Sequence, residues 1–354
     1  MKALILLGGK GTRLLPLTIY KPKPLISFFN HPLLSYQIEL LKQHGISEII
    51  FCLGHLSERI ENYLKLISNQ GISIKWIIEE EPLGTAGAVK KVQSMLGKEP
   101  FLVLNGDILT GADLTKLMEF HRLNRSRVTI ALATVVDPTA YGLIKIDEKG
   151  AIRQFLEKPS WVEAGACRTI NAGIYIFEPG ILSYIPPRRN FSLERELFPV
   201  LLQKKERFFG WKVKNYWLDV GTLERYRQGH RDALEKKIIF SFLRFREIED
   251  KVLLEGHSRI SPKATLTGPI LIGEGCKISD GVAISPFSVI GKNCIIENGA
   301  QIINSIILKD THIGKNVKMK SSIIGESCEI EDNAVMSDTT VLGDRSVIKA
   351  HSQL

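Results

Sequence analysis

From residue 260 onward an apolar side chain returns at every sixth position: Ile260, Leu266, Ile272, Ile278, Ile284, Ile290, Ile296, Ile302 and Leu308. The register then slips by one, to Ile307, Ile313 and Met319, and again to Ile324, Ile330, Met336, Leu342 and Ile348. Glycine often follows the apolar residue, as at Gly273, Gly291, Gly314, Gly325 and Gly343. Neither a heptad nor the alternation of an ordinary strand has this period. It fits a coil that buries one apolar residue on each side before turning a corner, which is a hexapeptide parallel β-helix. Coils cannot stand alone, so neighbours stack and the array needs capping. A folded domain ahead of it would cap one end.

The residues ahead of the repeats carry a different rhythm. Ala3 to Leu7, Ile49 to Leu53, Ile74 to Ile78 and Phe101 to Leu104 are short apolar runs that read as buried strands. Between them, Leu33 to Leu41 and Ser57 to Ile67 place apolar residues at helical spacing, and Gly45 closes the first helix. This alternation predicts a mostly parallel sheet with helices on both faces, and ligands beyond the carboxyl ends of its strands. The expected division is a domain over 1–235, a connection over 236–258 and the β-helix over 259–354.

A chain of 354 residues has room for two such domains. No apolar run approaches the length of a membrane span, and Met1-Lys2 leads straight into a strand rather than a signal peptide, so a cytoplasmic location is expected. The net charge of +9 permits contact with nucleic acid or membranes, but no run of Lys and Arg is long. Basic residues scattered around an anionic substrate account for it better. Cys52, Cys167, Cys276, Cys294 and Cys328 lack the spacing of a zinc site or a disulfide framework and read as small thiols in the core.

Gly8-Gly9-Lys10-Gly11-Thr12-Arg13-Leu14 follows the first strand, and Lys21-Pro22-Lys23-Pro24-Leu25 comes soon after. Glycines allow a tight turn and close approach to a ligand. Successive loop N–H groups can cradle an anion. Arg13 and Lys23 add fixed positive charge. A polyphosphate is the ligand such a loop suits, although the glycines alone equally suit a turn beside a solvated basic face. It is neither a Walker A loop nor a dinucleotide fingerprint. Asp107 ends a strand in Leu104-Asn105-Gly106-Asp107, and Asp219 lies in Trp217-Leu218-Asp219-Val220-Gly221-Thr222. Two carboxylates at strand ends could share Mg2+, though each alone reads as a turn or helix cap. Lys158, fixed by Pro159, could neutralise a phosphate or simply be a solvated surface charge.

The long pattern G-G-x-G-T-R-L-x-P-L-T-x-x-x-P-K-P resembles the sugar-1-phosphate nucleotidyltransferases. Further elements extend the resemblance over residues 1–230: Glu81 to Gly87, Leu104 to Asp107, Tyr141-Gly142, Glu157-Lys158-Pro159, Asn171 to Tyr175 and Trp217 to Gly221. In that order they look most like the mannose-1-phosphate guanylyltransferases, which also carry a β-helix. Leu7 departs from the family's usual Ala or Val, and Asn105-Gly106-Asp107 from the Asn-Ser-Asp of some members. The implied fold is an α/β, Rossmann-like, mostly parallel-sheet nucleotidyltransferase domain followed by a left-handed parallel β-helix of hexapeptide repeats.

The resemblance also implies roles. Leu6, Gly8 and the Gly84-Thr85 turn would hold base and ribose, with Gly9, Gly11, Thr12 and Asn105 completing the nucleotide site. Arg13 and Lys23 would grip the triphosphate. Lys158 would hold the sugar phosphate and, with Arg13 and Lys23, form the catalytic set. Gly142, Glu157, Asn171 and Gly173 would read the sugar. Asp107 and Asp219 would bind Mg2+, with Asp107 also touching the nucleotide. The implied reaction joins a nucleoside triphosphate, GTP favoured, to a sugar 1-phosphate, mannose 1-phosphate favoured, and releases pyrophosphate. The same chemistry with glucose 1-phosphate and dTTP or UTP is the near alternative. A non-catalytic regulatory subunit is a more distant one, against which the joint presence of Arg13, Lys23, Asp107, Lys158 and Asp219 argues. An acyltransferase role for the β-helix would need a histidine, and His312 is the only one well inside the repeats. A homo-oligomer formed through the β-helix is expected; nucleic acid and membrane partners are not.

Overall fold

The computed structural model describes residues 1–68 and 71–354. The chain divides into two compact units. One comprises residues 1–10 and 37–218; the other comprises 11–36 and 219–354.

The first unit is built on a nine-stranded sheet. Its strands are β1 (Ala3–Leu7), β2 (Glu48–Leu53), β3 (Ser73–Ile78), β4 (Phe101–Asn105), β5 (Val128–Thr134), β6 (Gly142–Ile146), β7 (Ile152–Glu157), β8 (Thr169–Phe177) and β9 (Phe208–Lys212). The order is β7-β6-β8-β4-β1-β2-β3, with β5 paired to β8 and β9 to β5. The expected parallel core is the group β4-β1-β2-β3. β4, β1 and β2 are largely apolar because both faces are covered, whereas the edge strand β3 carries Ser73 and Lys75 and is partly exposed. An antiparallel flank, β6 to β8, extends it. Helix α1 (Leu33–Gln43) ends just before Gly45, as expected, and α2 (Ser57–Ile67) buries Ile60 and Leu64. Later helices of this unit include α3 (Gly84–Lys91) and α4 (Leu114–Leu123), and α5 (Leu223–Leu234) belongs to the second unit.

In the second unit the six-residue period becomes three parallel sheets. One ladder stacks Leu254, Ile272, Ile290, Ile307, Ile324 and Leu342. A second stacks Ile260, Ile278, Ile296, Ile313, Ile330 and Ile348. A third stacks Leu266, Ile284, Ile302, Met319 and Met336. Most of these side chains are buried and form one core. Both register slips fall at the same corner, between the third and first sheets. That corner loses one residue at Asn304 and at Ser321, each turned into the left-handed region (φ 47°). All five cysteines are free thiols. His312 is held between Glu329 (2.6 Å) and Glu297 (3.5 Å), so it serves a ladder of surface ion pairs.

Candidate functional site

In the first unit the loops after β1 to β4 emerge at one edge, because these strands are parallel. Gly106 N–H donates to Leu6 O (3.0 Å), tying the loops after β1 and β4 together. A Cβ on Gly106 would lie 2.1 Å from Leu7 Cδ2. Leu7 is therefore buried against Gly106 and fits because position 106 has no side chain.

Gly8 and Gly9 are different. A Cβ on Gly9 would meet nothing within 4 Å, and one on Gly8 would meet only the Glu79 carboxylate, at 3.9 Å. Packing among the described residues does not require glycine at either position. The open space leaves their backbone accessible to a ligand. Glu79 was not singled out from the sequence, hidden as it is in the run Glu79-Glu80-Glu81. Its carboxylate accepts Leu83 N–H (3.2 Å), and burial raises its pKa. Perturbed acids at strand ends are a known mark of binding sites.

The Gly84-Thr85 turn begins α3. A Cβ on Gly84 would clash with Phe191 O at 2.7 Å, so this glycine is fixed by packing. Thr85 Oγ1 donates to Glu194 (2.9 Å) and accepts Leu193 N–H (2.8 Å), so its hydroxyl is committed within the protein. Glu194 also accepts from Tyr175 OH (3.4 Å), which accepts from Asn171 Nδ2 (2.9 Å), and Asn171 Oδ1 accepts Gly173 N–H (2.9 Å). One hydrogen-bonded chain thus joins Gly173 and Asn171 to Thr85. Gly173 sits at the break in strand register between Asn171 and Tyr175 and has φ 70°, a backbone for which glycine is suited. Asn105 Oδ1 is buried without a hydrogen-bond partner among the described residues, beside the half-buried Asp107.

Gly142 pairs with Glu157 across β6 and β7. Burial first, then the nearby Glu194, raises the Glu157 pKa. Lys158 follows as an exposed residue in the left-handed region (φ 49°), its N–H donating to Tyr141 O (3.0 Å). A non-glycine residue held in that conformation is a frequent feature of functional sites. Tyr141 packs edge-on against Trp217, whose Nε1 donates to Ala172 O (2.9 Å).

In the second unit Gly11 turns the chain with φ 67°, and a Cβ there would press on Thr18 and Lys23 at 3.0 and 3.1 Å. Thr12 and Arg13 are exposed on a single helical turn, whereas Lys23 is buried. Lys23 Nζ lies 3.9 Å from Asp219 Oδ1. A Cβ on Gly221 would lie 2.9 Å from both Arg13 Nη2 and Asp219 Oδ1. Arg13, Lys23 and Asp219 are therefore brought together around Gly221. Asp107 belongs to the first unit and Asp219 to the second. Among the described residues no group of three or more His, Cys, Asp or Glu forms a metal cluster.

The profile of the nucleotidyl transferase family matches residues 2–236, more than half of the chain. The chain belongs to the nucleotidyl transferase family. The profile of the GMPPB C-terminal domain matches residues 266–354 of this nucleotidyltransferase. Among curated relatives, mannose-1-phosphate guanylyltransferase of Mycobacterium tuberculosis is 36% identical over 83% of this chain and 82% of its own length. UTP–glucose-1-phosphate uridylyltransferase of Synechocystis is 34% identical over 90% and 86%. Among solved structures, HddC from Yersinia pseudotuberculosis is similar with a TM-score of 0.57 and 30% identity, covering 64% of this chain and 97% of its own. The substrates of this nucleotidyltransferase are accordingly a nucleoside triphosphate and a sugar phosphate. No described helix is long and apolar enough to cross a membrane.

Proposed function

We propose that this nucleotidyltransferase transfers a guanylyl group from GTP to mannose 1-phosphate, giving GDP-mannose and pyrophosphate. The observation that carries the reading is the Glu79 carboxylate facing the open Gly8–Gly9 backbone. Guanine presents two adjacent donors, N1–H and the 2-amino group, which a carboxylate accepts in the strong charge-assisted mode. Uracil and thymine offer one donor flanked by two carbonyls, which a carboxylate repels. The guanylyltransferase names of several relatives support the same choice, as does a solved HddC complexed with GMP-PN.

Arg13 and Lys23 are assigned to the triphosphate, Lys158 to the sugar phosphate, and Gly142, Glu157, Asn171 and Gly173 to the sugar. A phosphate oxygen of mannose 1-phosphate attacks the α-phosphorus of GTP. The bond to the β-phosphate breaks, and its electron pair leaves with pyrophosphate. The nucleophile is already an anion near neutral pH, so positioning and charge stabilisation dominate. Asp107 and Asp219 are assigned to Mg2+. Hard carboxylate and amide oxygens, including the unpartnered Asn105 Oδ1, suit that ion, which keeps several waters and binds substrate phosphates. When bound, it neutralises phosphate charge.

We assign the transferase to 1–235, the connection to 236–258 and the β-helix to 259–354, and expect a homo-oligomer through the β-helix in the cytoplasm. A monomer by light scattering at micromolar concentration would remove the oligomer. The second reading, glucose 1-phosphate with dTTP or UTP, rests on the uridylyltransferase relative. Pyrophosphate release across a panel of triphosphates and sugar 1-phosphates separates the two. GTP with mannose 1-phosphate should give the highest kcat/KM, and Glu79→Gln should erode the preference for GTP. A wild-type preference for UTP or dTTP would overturn the guanine assignment.

A further inference from the structure

The loop that bears Arg13 and Lys23 also bears Lys21, which the assignments above leave without a role. Lys21 Nζ is paired with Glu326 Oε1 and lies 3.6 Å from Asp344 Oδ2. The three side chains are only 14%, 16% and 12% exposed. Two other pairs along the β-helix are of a different kind: Lys263 with Asp280 and Lys320 with Asp338 are each more than half exposed, while the half-exposed Lys309 approaches Glu326 at 3.8 Å. Exposed pairs of that kind hold nothing in place, whereas a cation enclosed between two carboxylates has one low-energy position.

Glu326 and Asp344 occupy the same corner on successive coils, directly after Gly325 and Gly343. Glu326 N–H donates to Asp344 Oδ1 (2.8 Å), which locks the two acids together. At Gly343 a Cβ would come 3.3 Å from Pro16. The loop therefore rests on that corner at two points, Pro16 and Lys21. Between Lys21 and Lys23 stands only Pro22, whose ring holds φ at −65°. Fixing Lys21 thereby fixes where Lys23 begins.

We propose that Glu326 and Asp344 are positioning residues for catalysis. Through Lys21, these two β-helix coils hold Arg13 and Lys23 in the geometry that stabilises charge on the leaving pyrophosphate. The inference rests on the reading of Arg13 and Lys23 as the triphosphate grip. It makes the β-helix part of the catalytic apparatus rather than an appendage for assembly.

The test compares Lys21→Met, Lys21→Arg and the double variant Glu326→Gln with Asp344→Asn in the full chain. Steady-state kinetics with each substrate varied are run beside thermal melting, and Arg13→Ala serves as reference. The expected result is a fall in kcat of tenfold or more for Lys21→Met and for the double variant. KM for the sugar phosphate should stay within about threefold, both variants should melt lower because each leaves enclosed charge without its counter-ion yet stay folded at the assay temperature, and Lys21→Arg should restore most of kcat. Loss of a group that acts only in the transition state has this signature. Folded variants with wild-type kcat would overturn the proposal. So would a fall in kcat that Lys21→Arg does not recover, or one seen only at temperatures where the variant has begun to melt. If Arg13→Ala itself kept full kcat, the reading of the loop as the triphosphate grip would fail instead.

Discussion

In the β-helix a Cβ on Gly291 would lie 2.3 Å from the backbone nitrogen of Lys309 on the next coil. At Gly9, in the sheet unit, the same atom would meet nothing within 4 Å. Both residues follow a short apolar strand, and sequence alone does not separate them. The β-helix glycine is required by stacking, since each corner must let the next coil approach. Among the described residues no packing contact requires glycine at position 9, which leaves open space beside its backbone. Glycine at a strand end thus has two physical meanings, and the distance to the next backbone tells them apart.

The buried histidines sharpen the contrast. In the sheet unit His121 has Nδ1 paired to Thr129 Oγ1 (2.8 Å) and Nε2 facing Glu178 (3.5 Å). In the second unit His230 has no partner for either ring nitrogen among the described residues. It packs among Phe28, Phe29 and Tyr226, and burial pushes its pKa down to about 3. The unfolded chain takes up this proton near pH 6.5, and the folded one does not until near pH 3. Stability should therefore fall as pH drops through that window and level off below it. At 1.36 kcal/mol per pH unit, the loss from this one group reaches up to about 5 kcal/mol. His230→Phe should flatten the acid limb of a denaturant-monitored stability profile. An unchanged acid limb would show that His230 is not the group responsible.

The next largest effect concerns the glycines themselves. Gly291→Ala forces a backbone shift between coils and should destabilise the second unit by about 3–4 kcal/mol, read from denaturant melts. Gly9→Ala should leave the melt unchanged while lowering kcat/KM. Equal melting of both variants would erase the distinction drawn above. Arg13→Ala should cost about 3 kcal/mol in the transition state, seen in kcat, as for other preorganised charge-stabilising groups. Calorimetric GTP binding and kinetics measured together would check it.

The smallest effect is expected at Lys158. Lys158→Ala should raise KM for the sugar phosphate about tenfold, near 1.4 kcal/mol, and leave triphosphate binding intact. Loss of triphosphate affinity instead would invert the assignment of the two sides.

Much of this was legible in the sequence because it is periodic or local. The ladders through Ile272, Ile278 and Ile284 repeat every eighteen residues, and both register slips appear as one-residue deletions at a single corner. Strands β1, β2 and β4 are largely apolar runs whose bounds need no partner to be read. Gly8, Arg13 and Asp107 stood out as candidates through the contiguous motifs that contain them. Glu79 did not, since one acid in a run of three looks solvated until the strand end beside Gly8 is seen. Glu194 was equally silent, because its role is to accept from Thr85, Ser192 and Tyr175.

What the sequence by itself determined is therefore the presence of an α/β sheet and of a β-helix, together with candidate residues that lie in contiguous motifs. The antiparallel flank of the sheet, the exchange of volume between Leu7 and Gly106, and the enclosure of Lys21 by Glu326 and Asp344 were decided only by tertiary structure. Each depends on residues far apart in the chain: 99 positions separate Leu7 from Gly106, and 305 separate Lys21 from Glu326. Periodicity reports which side chains leave water, but not which distant side chain they meet there. That pairing is set by packing and by charge buried in a shared environment, and neither has a local signature.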